Sequence, residues 1–436
     1  MDFHQRLRRG VIATAMLFTG LLAACGGNDD AKPASVRFLN AVTDVGALSM
    51  YTGDDRRATS VPADSVSGYS ALNAGSYDFR FKRSGSDSSL YTSSGSLGDD
   101  TNNTVVAWGR EGNIRMTIIE DDDDNVPAAG LAKLRVLNGA VDAGAIDVYV
   151  AQAGADLNVA SPSSSSVGVG ALSGFTEQNA GSLQVRITSV GNRDEVRLEI
   201  PDLVVQERQV VTLVLQSTAG GTLVHAIALV QGGNATARKN SQSRVRLVSS
   251  VANNGVVAAR VGSTVLSSAA VSPSIGSYFL VPSGNRVLLA QVAGNTVFSE
   301  TLSFVAGQDY TVLVHGSATA AFAERFSDDN RSAPSSRAKL RLVHGAQGHD
   351  SLTMTVDSAA VASDLAYGSA SSFVGVASNN GNALIEVTSP LLSTPLYTTS
   401  RSNSSTTGVS LEGTGVYTVF LLGGGSSPRG FLRRDR

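Results

Sequence analysis

Apolar and polar residues alternate along most of this chain with a period of two. In Ile146-Asp147-Val148-Tyr149-Val150, the residues Ile146, Val148 and Val150 fall on one face, which predicts a half-buried strand rather than a helix. The same design recurs. A short apolar run around an arginine is written four times, at Val36-Arg37-Phe38-Leu39, Leu134-Arg135-Val136-Leu137, Val245-Arg246-Leu247-Val248 and Leu340-Arg341-Leu342-Val343. The arginines stand 98, 111 and 95 residues apart, the length of a small β-sandwich rather than of a solenoid unit. Eleven and thirteen residues after each arginine comes a second pair in constant phase: Leu48 and Met50, Ile146 and Val148, Val257 and Ala259, Leu352 and Met354. Asn73-Ala74-Gly75-Ser76 is rewritten as Asn179-Ala180-Gly181-Ser182, and weaker copies place Gly284 and Gly381 before further alternating runs. A glycine there suits a turn with positive φ between two strands. Each copy closes on a β-rich run, at Thr104–Trp108, Val210–Val214, Tyr310–Val314 and Tyr417–Leu421, predicted as central strands.

Many short strands separated by Gly, Ser and Asn turns, with no amphipathic helix of useful length, predict an all-β chain of tandem antiparallel β-sandwiches of Ig-like type. The expected repeats span 35–126, 131–232, 243–328 and 338–436. Two junctions resemble each other: Asp123-Asp124-Asn125 with Pro127, and Asp328-Asp329-Asn330 with Pro334, each leading into Ala-Lys-Leu-Arg. That likeness suggests duplication of a two-sandwich unit. Four separate beads are expected, each with its own core, since segments of about 60 residues already bury enough surface to fold alone. A transmembrane barrel also alternates, but 14 Phe, 10 Tyr and 1 Trp supply aromatic girdles poorly.

Residues 1–24 read as a secretory signal, with Arg6, Arg8 and Arg9 ahead of an apolar stretch too short to span a bilayer. Its end, Leu22-Ala23-Ala24-Cys25, resembles the bacterial lipobox, which implies that Cys25, the sole cysteine, carries the lipid. In that class Gly26, rather than aspartate, implies delivery to the outer membrane, with residues 25–34 as a short tether. The remaining 412 residues carry a formal charge of −5 and no thiol for a disulfide. No basic stripe is present to neutralise phosphates, so nucleic acid is not an expected partner.

Read together, Arg135-Val136-Leu137-Asn138-Gly139-Ala140-Val141-Asp142-Ala143-Gly144-Ala145-Ile146-Asp147-Val148-Tyr149 resembles the signature R-V-V-H-A-S-P-D-A-P-x-V-D-V-Y of the bacterial domain of unknown function family 4397. Arg37 to Tyr51 and the run from Arg341 match it less fully. The resemblance implies secreted or surface-attached sandwich modules, often in tandem, with no established activity. The family's histidine is replaced by Asn40, Asn138 and Ser249 in three repeats, and its loop proline is absent.

Catalytic chemistry has little support. Neither G-x-S-x-G nor G-x-x-x-x-G-K-[ST] occurs, and no histidine recurs at one register. The run Glu120 to Asp124 could supply oxygens for Ca²⁺, but it lacks the spaced pattern that wraps an ion and reads as a solvated linker. His344, His349 and Asp350 share a loop, while His225, His315 and His344 sit in or beside apolar runs as structural residues; no metal and no cofactor are assigned. Arg37, Arg135, Arg246 and Arg341 are read as structural, their stems covering a sheet or a neighbouring bead while their heads stay wet. Contact with an acidic connector such as Asp121 to Asp124 is the second reading. The expected function is a non-catalytic, lipid-anchored envelope protein, outer-membrane attached and periplasmic or surface-facing, that spaces or presents an interaction surface to a protein or glycan. A lectin-like, cell-wall-binding module is the alternative, and a periplasmic hydrolase a lesser one.

Overall fold

The computed structural model describes residues 32–121, 125–399, 408–424 and 428–436. Leu22, Ala23, Ala24, Cys25 and the acidic residues 122–124 lie outside the described residues. In the first repeat the strands are β1 (Pro33–Thr43), β2 (Leu48–Thr52), β3 (Asp55–Val61), β4 (Ser65–Val66), β5 (Ser70–Asn73), β6 (Gly75–Arg83), β7 (Ser89–Leu97), β8 (Thr101–Arg110) and β9 (Asn113–Glu120). One sheet runs β4-β1-β8-β9, with β5 also on β1, and the facing sheet runs β3-β2-β6-β7. Both are open, and the same two-sheet sandwich recurs three more times. No helix among the described residues is long and apolar enough to cross a membrane.

All pairings within the first sandwich are antiparallel except one. β1 and β8 run parallel, from Ala34 opposite Thr101 to Thr43 opposite Arg110. The parallel pair recurs between Leu131–Leu137 and Val210–Ser217, Gln242–Val251 and Asp309–Ser317, and Arg337–Gln347 and Val416–Gly424. A parallel pair needs a long crossover, and here the intervening chain builds the facing sheet.

Gly75, Gly181 and Gly284 open the strand by which the chain leaves one sheet for the other, and Gly381 lies within Asn379–Ala383 of a small two-stranded sheet; their φ values are 144°, 126°, 94° and 91°. A Cβ added at any of them would meet nothing within 4 Å, so backbone conformation alone demands glycine. Gly75→Ala and Gly181→Ala are each expected to cost roughly 1–3 kcal/mol in urea denaturation. Gly68→Ala, equally open and without a positive φ, is expected to leave the midpoint unchanged.

Each sandwich closes its own apolar interior. Leu48, Met50, Ile146, Val148, Val257, Ala259, Leu352 and Met354, the pairs in constant phase, are all buried there. The sandwiches also pack on one another. In β1 and β8, and in their counterparts, most residues are buried, on both faces of the strand, except in Leu131–Leu137, where burial alternates up to the last two residues. The inner face fills the sandwich and the outer face packs on a neighbouring sandwich. Leu39, Ala41, Val106 and Trp108 of the first repeat form one cluster with Leu137, Val214, Ile227 and Leu229 of the second. Val248 and Leu313 of the third join Val343, Phe420 and Leu422 of the fourth. The first and second sandwiches, and the third and fourth, therefore pack as two back-to-back pairs. Tyr149 and Asp147, on the opposite face from Ile146 and Val148, are buried as well. Arg193 covers the Tyr149 ring at 5.7 Å, and Asp147 accepts the N–H groups of Ser166 and Gly191.

Candidate functional site

The repeated arginines build the first constellation. Each projects from its β1-type strand and donates through Nε to a threonine hydroxyl on the parallel neighbour: Arg37 to Thr104 at 2.8 Å, Arg135 to Thr212 at 3.2 Å, Arg246 to Thr311 at 2.8 Å and Arg341 to Thr418 at 3.1 Å. Each guanidinium also lies over an aromatic ring, on Tyr69, Phe175, Tyr278 and Phe373 at 4.9, 4.3, 4.7 and 4.6 Å. Stacking and a side-on hydrogen bond suit the planar guanidinium in a way an ammonium cannot match.

The expectation of wet heads fails for three of the four, since Arg37, Arg246 and Arg341 are 2%, 3% and 2% exposed. Their heads cross the interface between paired sandwiches. Arg341 of the fourth repeat donates to Asp328 of the third at 2.6 Å, and Arg246 of the third donates to Asp435 of the fourth. The exchange is reciprocal. Arg37 crosses to the second repeat, where it donates to the carbonyls of Gly233 and Val230. Asp328 accepts further bonds from the Tyr278 and Thr311 hydroxyls, both at 2.6 Å. Burial pushes its carboxyl up, yet Arg341, Arg246 and the two hydroxyls outweigh that and hold it below the usual carboxylate range. Nearby Asp309 shows the opposite outcome: burial outweighs Arg244 and raises it. An arginine meets a connector acid directly at one site, and at another the acid is reached through the ring beneath the arginine. Arg341 meets Asp328 directly, and the Tyr69 hydroxyl under Arg37 donates to Asp121 at 2.6 Å.

Sequence reasoning missed the rings and the threonines. The aromatic follows its arginine by 32 residues in three repeats and by 40 in the second, while Asp121, Asp328 and Asp435 each follow their threonine by 17. In the second repeat that last position is Leu229. Constant offsets of this kind were the available signal.

The second constellation is a groove of about 840 Å³ where three repeats and a connector meet. Arg110 and Arg115 come from the first repeat, Asp142 from the second, Asp329 and Arg331 from the connector, and Lys339, Arg434 and Arg436 from the fourth. Asp142 organises the junction by accepting from Arg110 at 3.2 Å and from the Ser332 N–H at 2.9 Å. Arg110 donates in turn to the Ser332 carbonyl at 2.8 Å. Asp329 holds Arg331 and Lys339. Burial pushes Lys339 down in spite of Asp329, and pushes Arg436 down to about 10.

Histidines form a third group at the interface of the third and fourth sandwiches. His315 and His344 stand edge-on to Tyr367, with centroids 4.7 and 5.5 Å away, and His344 Nε2 lies 2.9 Å from the His349 carbonyl. Among the described residues, no group of three or more His, Cys, Asp or Glu side chains could hold a metal ion. Burial pushes His344 down to about 4, burial also lowers His315, and burial together with Lys239 pushes His225 down to about 4. These rings fold neutral. The unfolded chain then binds more protons below its ordinary histidine range near 6.5, so stability is full above that pH and falls as pH drops toward 4. His225 and His344 each contribute on the order of 3 kcal/mol to that loss, partly offset by the raised Asp309 carboxyl, whose charged form is relieved by acid. Urea midpoints measured from pH 7.5 to 4.5 are expected to decline, and His225→Gln with His344→Gln to flatten the slope.

Among known protein families, the one described as "Domain of unknown function (DUF4397)" matches residues 34–149 and 243–354, just over half of the chain. No curated protein matches. Solved structures similar to the chain include a candidate cell adhesion protein from Bacteroides uniformis, at 14% identity over 46% of this chain and 98% of that one, with a TM-score of 0.20. A second candidate cell adhesion protein, from Bacteroides ovatus, matches at 11% identity over 46% and 98%, also with a TM-score of 0.20. The Bacillus anthracis TIE protein matches at 9% identity over 88% of this chain and 66% of that one, with a TM-score of 0.14.

Proposed function

The chain belongs to the DUF4397 family, and from that premise we propose that it is a non-catalytic, lipid-anchored protein of the cell envelope that holds an interaction surface on a rigid body of paired sandwiches. The observation that carries this reading is the use of both faces of the β1 and β8 type strands. Their outer faces fill the clusters shared between repeats, and buried arginines cross the same interfaces. Further contacts tie one pair to the other: Gly220 N–H donates to the Gly307 carbonyl at 3.0 Å, and Arg331 reaches Asp44 at 3.1 Å. A body so fastened suits spacing and presentation. Domains in one chain move relative to one another by default unless the interface between them is large and apolar.

The anchor in this proposal is a lipid on Cys25, with the protein held at the outer membrane. Cells fed a palmitate analogue are expected to label the wild-type protein, which fractionates with the outer membrane. Cys25→Ser is expected to take no label and to leave that fraction. A wild-type protein recovered unlabelled and soluble would overturn the anchoring.

A further inference from the structure

We infer that the groove at the meeting point of the first, second and fourth sandwiches binds an acidic oligosaccharide, a reading that rests on the chain being an interaction module. Its volume of about 840 Å³ lies within the range of small-molecule sites. Six basic side chains line it, Arg110, Arg115, Arg331, Lys339, Arg434 and Arg436, against two lining carboxylates, Asp142 and Asp329. Asp44 and Glu412 reach Arg331 and Arg434 from outside the lining, and basic groups remain in excess after counting them.

The two lining acids have a structural task. Asp142 pins the connector through Ser332 N–H, and Asp329 ties Arg331 to Lys339. Arg115, an exposed residue of the lining, donates from its guanidinium only to the carbonyl of its own neighbour Ile114 among the described residues. Burial works against the charge on Lys339 and Arg436, and an incoming anion would offset that cost. Cations in a concave wall focus the field and raise the local concentration of anions. Between them lie Asn113, Ser335 and Thr414, whose amide and hydroxyl groups match sugar hydroxyls. The site belongs to no single repeat. It exists only because the sandwiches and the 329–335 connector are held together, so a rigid assembly gives the chain a surface that one module lacks.

Isothermal titration of the purified full-length protein tests this with trigalacturonate for carboxylate, phosphorylated pentamannose for phosphate, and neutral galactotriose. Saturable binding of either acidic sugar, at least tenfold tighter than the neutral one, is expected. Arg115→Glu with Arg434→Glu, both exposed residues, is expected to weaken it at least tenfold, with the circular-dichroism spectrum of the folded protein retained. Arg56→Glu with Arg260→Glu, which changes charge by the same amount outside the groove lining, is expected to leave binding within twofold. Equal binding of neutral and acidic sugars, no binding of either acid, or equal losses in the two charge variants would overturn the groove assignment. None of these outcomes would by itself disturb the envelope-module reading, which the palmitate and fractionation experiment tests separately.

Discussion

Asp328→Ala is expected to destabilise the folded protein by about 3–5 kcal/mol, the usual loss when one partner of a buried ion pair is removed. Asp328 and Arg341 are 0% and 2% exposed, so neither can turn to water. Without the carboxylate, Arg341 keeps its charge and its stacking on Phe373, while the Tyr278 and Thr311 hydroxyls lose their acceptor. Urea denaturation followed by circular dichroism measures the loss. Asp328→Leu combined with Arg341→Met is expected to recover only part of it, because an apolar pair removes the stranded charge but leaves the Tyr278 and Thr311 hydroxyls without their acceptor. A single-variant loss under about 1 kcal/mol would mean that the pair behaves as a surface contact.

Trp108→Ala is the second large effect, at about 3–5 kcal/mol, the range for truncating a buried aromatic. The ring is 5% exposed and lies between repeats. A Cβ on Gly170 would sit 3.0 Å from it, and one on Gly139 3.0 Å from Trp108 Cβ, so the second repeat approaches on two sides. The void would open at that shared boundary, and its cost should register in both sandwiches. Thermal unfolding monitored by segment-resolved hydrogen exchange reads this. Loss of protection confined to the first repeat would contradict the shared core.

The strand landmarks, the pivoting glycines and the repeated arginines were legible because each is a local pattern. A period of two reports a buried face, and a glycine between two alternating runs reports a backbone need. What local patterns cannot report is which distant strand lies alongside. The parallel ladder of β1 and β8 spans 67 residues of sequence, and no alternation encodes it. The pairing of sandwiches did leave a trace. Val105-Val106-Ala107-Trp108 and Val211-Thr212-Leu213-Val214 are too continuously apolar for strands with one wet face, and such runs belong to sheets covered on both sides. A central position in one sheet accounts for only one of their two covered faces. The arginine clasps were hidden for a related reason: Arg341 finds Asp328 only 13 residues upstream, but across the boundary between two repeats. The groove was out of reach of local patterns altogether, since its cations come from the first and fourth repeats and the connector between the third and fourth.

Hydrogen exchange in Phe420→Ala tests the pairing of sandwiches most directly. Phe420 belongs to the fourth repeat, is fully buried and packs in the cluster shared with Val248 and Leu313 of the third. A shared core predicts that amides in Gln242–Val251 and Asp309–Ser317 lose protection together with those of the fourth sandwich. Faster exchange in the fourth sandwich, with those two third-repeat strands unchanged, would contradict it.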